Sequence, residues 1–155
     1  MNTAAALAML VSFVASPVQP LTKDPFQRTA VRALRGDFGQ LQPWQREGYE
    51  RGLRAGATAH KTIWLTAYYA TEGRSGRTDC QGRRCSLRTA AANRVAQGAY
   101  VWTEYGIRQV RDTGAHSNDH HADRKGADLW VDYWYRHPGD CPFGGSTITM
   151  GAVIR

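Results

Sequence analysis

From Thr62 to the C-terminus the chain is a succession of short runs rich in β-branched and aromatic residues, separated by glycines and polar loops. Runs of that kind specify strands. Residues 63–69, 89–92, 99–103, 107–111, 128–135 and 146–154 read as six of them, the second shorter than the rest. So many short strands within residues 62–155 point to a small closed barrel, because closure removes the unpaired edges an open sheet would expose.

The strand from Asp128 is the most informative. Side chains alternate across a strand, so Leu129, Val131, Tyr133 and Tyr135 share one face and Asp128, Trp130, Asp132 and Trp134 the other. The first face is core-like. The second alternates carboxylates with indoles, which suits either a sugar-binding cleft or an outer face packed beneath the N-terminal helices. Asp132 reads as solvated surface charge, and so does Asp119.

Before the strands, residues 21–61 are basic and read as a helical lead-in. Pro43 suits the first turn of a helix reaching about Ala55. The apolar stripe of that helix is thin, which places it on a surface. Residues 1–20 carry an apolar run, Ala4 to Val14, broken only by Ser12. A bilayer span needs about 20 apolar residues, so this run reads instead as the core of a signal peptide. A secreted or cell-envelope protein is the expectation, acting as a monomer with no stable membrane span.

The formal charge is +7, with a pI near 9.7, which favours an anionic partner without choosing one. Export would favour a disulfide among Cys80, Cys85 and Cys141. Three pairings exist. A bridge from Cys80 to Cys85 is the expected one, pinning the polar loop TDCQGRRCS. The stretch HSNDHHAD at 116–123 reads as a mobile solvated loop, with metal binding as its sharper alternative.

Three pieces occur in order: Thr66-Ala67-Tyr68 with Asp79-Cys80-Gln81-Gly82 and Cys85-Ser86 behind it; Tyr105-Gly106 followed by Asp112-Thr113-Gly114; and Lys125-Gly126-Ala127-Asp128-Leu129-Trp130. Together they resemble the three-aspartate (3D) domain family, which includes the barrel of membrane-bound lytic transglycosylase A. The resemblance covers residues 62–155. It implies a mainly β domain, a six-stranded double-psi β-barrel, here preceded by one or two N-terminal helices. It further implies cleavage of a cell-wall (peptidoglycan) glycan with no cofactor. Asp112 matches the aspartate of the family's DTG. Asp128 matches the last aspartate, which acts as general acid and base in the lytic transglycosylases. Trp130, Asn93, Thr113, Gly114, Lys125 and Tyr68 become the expected substrate-binding residues. Two departures stand out. Asn93 occupies the place of the family's first aspartate, and the turn after DTG is lengthened to AHSNDHHADRKGA.

The chemistry requires a carboxyl whose pKa is raised toward neutrality, by burial or by a second carboxylate. Asn93 cannot supply one, so a non-catalytic glycan-binding module on the same barrel is the alternative. A DTG aspartic protease is the remote one. Such a protease needs apolar residues before its aspartate, where this chain has Gln109-Val110-Arg111. The arginines of 28–54 would suit phosphate contacts, but no aromatic-basic RNA motif accompanies them, and no nucleic acid is expected.

Overall fold

The computed structural model describes residues 24–73 and 76–155. The apolar run expected to be a signal peptide lies outside these residues. No helix among the described residues is long and apolar enough to cross a membrane.

Six strands close a barrel: β1 (Lys61–Tyr69), β2 (Thr89–Ala91), β3 (Tyr100–Thr103), β4 (Gly106–Asp112), β5 (Leu129–Tyr135) and β6 (Ser146–Ile154). Their order around it is β1-β5-β2-β4-β3-β6. The β1–β5 and β2–β4 pairs are parallel and the other four antiparallel. The topology is compatible with a double-psi barrel. Each of the six runs anticipated from the sequence is a strand, with ends displaced by two residues at most.

The alternation read along β5 holds. Leu129, Val131, Tyr133 and Tyr135 point inward and join Ile63, Leu65, Ala90, Val101 and Val110 in the barrel core. Trp130, Asp132 and Trp134 point outward. Of the two readings of that face, the one that packed it beneath the N-terminal helices does not hold. Trp130 and Trp134 pack with Tyr68 of β1, Ala91 of β2, Cys85 of the 76–88 loop, Ala122 of helix α3 (Ser117–Arg124) and Ala127 just after it.

The N-terminal helices cover a different part of the wall. Helix α1 (Pro25–Leu34) is capped by Asp24, whose Oδ1 accepts the Gln27 N–H at 2.9 Å. Helix α2 (Pro43–Arg54) starts at Pro43 as anticipated. With Ala30, Trp44, Tyr49 and Leu53 these helices bury Tyr100, Trp102, Ile107 and Ile154 in a second core. They are therefore part of the packed structure and not a solvated lead-in. The thin apolar stripe of α2 is explained by Gly48 and Gly52, both buried. A Cβ on Gly52 would sit 2.7 Å from Trp102 Cζ2, and one on Gly48 would run into Ile107 and Tyr100. Two glycines four residues apart let the helix backbone itself lie on the barrel.

Candidate functional site

Between β2 and β4 the register slips. Ala90 pairs with Val110, but Ala91 pairs with Asp112. The extra residue, Arg111, forms a bulge, and a bulge re-aims the side chains that follow it. Val110 points into the barrel. Without the slip Asp112 would share that face. With it, Asp112 lies level with Ala91 on the outer wall.

Ala91 pairs on its other side with Asp132. The two aspartates therefore flank one alanine, their backbones separated by two strand spacings, about 10 Å. Asp132 in turn faces Thr66 across the parallel β1–β5 pair. Thr66 Oγ1 donates to Asp132 Oδ1 at 2.7 Å and accepts the Trp130 indole N–H at 2.9 Å. Burial pushes the Asp132 carboxyl up to about 7, with Asp112 and Glu72 adding to the rise and the Thr66 hydrogen bond opposing it. Asp132 is thus a half-buried acid that changes protonation near neutrality, not solvated surface charge.

Asp112 is buried and accepts three hydrogen bonds. Its Oδ1 takes the N–H of Cys80 and of Thr113, both at 2.8 Å, and its Oδ2 takes the Tyr68 hydroxyl at 3.3 Å. Burial, then the neighbouring Cys85 and Asp112, push the Tyr68 hydroxyl far above its ordinary range. Tyr68 therefore remains a proton donor.

The loop over this face is not pinned by a disulfide, contrary to expectation: Cys80, Cys85 and Cys141 are all free thiols. Its rigidity comes from carboxylates. Asp79 is buried and accepts the N–H of Gln81 and Arg83 at 3.0 and 2.9 Å, and Arg83 Nε at 2.7 Å. Burial works to raise the Asp79 pKa, but the bonds from Arg83 and Gln81 outweigh it and hold it below the usual value. Cys80 contributes its backbone, through Asp112. Cys85 is buried beside Tyr68, its sulfur 3.9 Å from the hydroxyl, and burial raises its thiol.

The other residues singled out in the sequence serve the frame of the site. Asn93 Oδ1 accepts the Gly114 N–H at 3.0 Å, and Nδ2 donates to Ala115 O and Asp119 Oδ2. Its amide thus ties the Asp-Thr-Gly turn to α3. The 116–123 stretch, expected to be a mobile loop, is mostly the helix α3. Asp119 there is buried rather than solvated. Gly114 passes directly over Trp130, where any side chain would collide with the indole. Thr113 is exposed at the turn. Lys125 places its Nζ 5.3 Å from the Trp64 ring centroid.

Asp128 lies apart from this group. It is exposed, and its Oδ2 accepts the Thr62 N–H at 2.8 Å while its own N–H donates to Thr62 O at 2.8 Å. Four residues of strand, about 13 Å at 3.3 Å each, separate it from Asp132. The structure brings together Asp112, Asp132, Thr66, Tyr68 and Trp130. Asp132 and Asp79 were missed as site residues. Thr66 was visible within Thr-Ala-Tyr, and the outward face of β5 already contained Asp132. Among the described residues no three His, Cys, Asp or Glu side chains are grouped to hold a metal ion. No family model matches this sequence, and no curated protein matches it.

Proposed function

We propose that this chain cleaves a cell-wall glycan on a barrel of the three-aspartate type, with Asp132 in the acid/base role that the sequence pattern assigned to Asp128. The observation that carries the reading is the Asp132 carboxyl, raised to about 7 by burial and flanked by a second carboxylate. A general acid works best with a pKa near the operating pH, and two carboxylates in different environments divide the roles. Asp112, held by three donors, acts through charge and position.

In a transglycosylase mechanism Asp132 gives its proton to the glycosidic oxygen as the C1–O bond breaks. The 6-hydroxyl oxygen of the same sugar closes on C1, and its proton passes to the Asp132 carboxylate. The acid is regenerated, and the product carries a 1,6-anhydro ring. No water, metal or nucleophilic carboxylate enters. The apolar run at the N-terminus supports export to the compartment where such a substrate lies.

The test is incubation of the purified protein with peptidoglycan, followed by mass spectrometry of the soluble fragments. Anhydro-sugar products from wild type, lost in Asp132→Asn, are the expected result. Retention on wall glycan with no fragments released would favour the binding-module reading. Full cleavage by Asp132→Asn would remove Asp132 from the acid role.

A further inference from the structure

A second site opens next to this one. A cleft of about 870 Å³ runs between the start of α2 and the end of the barrel where β5 terminates. Arg84, Arg88, Arg108 and Arg136 line it, and Asp140 is the one acidic residue on its wall. None of the four arginines pairs with a carboxylate among the described residues.

Arg108 is the decisive residue. It projects from β4 toward the inside of the barrel and is only 8 % exposed. Its guanidinium lies over the rings of Tyr133 and Tyr135, 5.0 and 5.6 Å from their centroids. Nη1 donates to Ile107 O at 3.0 Å, but Nε is buried without a hydrogen-bond partner. A buried guanidinium with no counter-charge is costly, and stacking on two rings offsets only part of that. An oxyanion in the cleft would supply the missing counter-charge, and guanidinium groups suit carboxylate and phosphate oxygens.

The surroundings indicate what carries the oxyanion. Trp44, Tyr105 and Trp134 line the same cleft, and flat aromatic faces suit sugar rings. Cys85 also lines it and contacts Tyr68, which in turn bonds Asp112. The cleft also adjoins the carboxylate site along β5: Trp134, on its wall, is the next outward-facing residue after Asp132, about 7 Å along the strand. We propose that it is a subsite for an acidic sugar segment, a carboxylate- or phosphate-bearing stretch of the glycan whose scissile bond lies at Asp132. This assignment of substrate class rests on the glycan-cleavage reading.

Equilibrium binding, followed by tryptophan fluorescence at low and moderate salt, tests it without requiring turnover. The probes are a hexamer of galacturonic acid, a neutral chitin hexamer and a single-stranded DNA oligonucleotide. The acidic hexamer should bind at least about tenfold more tightly than the neutral one, as expected for charge-assisted hydrogen bonds. Arg84→Gln and Arg136→Gln, both at exposed positions that leave the core intact, should together remove that advantage. Arg108→Gln should weaken binding further, with folding checked by circular dichroism. Equal binding of acidic and neutral hexamers, or arginine variants without effect, would overturn the subsite. Tighter binding of the oligonucleotide than of the acidic hexamer, with the same arginine dependence, would overturn the acidic-sugar assignment in favour of nucleic acid. Absence of fragment release from peptidoglycan with this binding intact would count against the cleavage reading alone.

Discussion

Thr66 and Asp132 are register partners on parallel strands, and the Thr66 hydroxyl donates to Asp132 Oδ1 at 2.7 Å while accepting the Trp130 indole N–H. With its single proton committed to Oδ1, Thr66 leaves Oδ2 as the oxygen that carries the acidic proton. One hydroxyl thus orients the carboxyl, and the indole beneath it fixes the hydroxyl.

Asp132→Asn should lower glycan cleavage by at least about 10²-fold, the low end of what a general acid supplies. In the wild type, activity should fall as pH rises through about 7, where Asp132 loses its proton.

The same residue makes stability pH-dependent. Its folded pKa is raised from 3.8 to about 7, so the native state holds a proton that the unfolded chain releases. The stabilisation is fully present below pH 3.8 and is lost as pH rises through about 7. Each unit of difference corresponds to about 1.4 kcal/mol. Thermal midpoints at pH 5 and pH 8 should show a drop in wild type that Asp132→Asn largely abolishes.

Thr66→Val and Asp112→Asn should move the pH profile in opposite directions. The Thr66 hydrogen bond favours the ionised form, so removing it raises the Asp132 pKa. The Asp112 charge disfavours ionisation, so neutralising it lowers that pKa. Asp112→Asn should also cost less activity than Asp132→Asn. Carboxylate titrations by NMR would report both shifts, and parallel shifts would contradict the coupling.

Gly48→Ala should destabilise the protein by about 1–3 kcal/mol, the usual cost of overpacking. The added methyl meets Ile107 and Tyr100. Urea denaturation measures the change, and a neutral result would show that α2 is not seated on the barrel.

Thiol labelling should find three free cysteines. Cys80 is exposed and should react in the native state, whereas Cys85 is buried and should react only on unfolding. A Cys80–Cys85 bridge in unreduced peptide maps would contradict the structure.

The strands were legible in the sequence because alternation is a local property. Whether Leu129 or Trp130 faces the core depends only on the pleat and on which face is apolar. The seating of α2 had a local signal as well, the Gly48–Gly52 spacing, but a missing side chain leaves no apolar stripe to read. Asp128 and Asp132 lie on the same face of the same strand, so alternation treats them alike. What separates them is depth. Both face a threonine of β1, but Thr66 gives Asp132 its hydroxyl whereas Thr62 gives Asp128 only its backbone N–H, and a bulge at Arg111 turns Asp112 outward on the Asp132 side. Loop 76–88 and α3 cover that face, while Asp128 remains in solvent. By itself the sequence determined which residues could face outward. Only the closure of the barrel decided which of them is desolvated, because a carboxyl's proton affinity is set by neighbours far away in the chain.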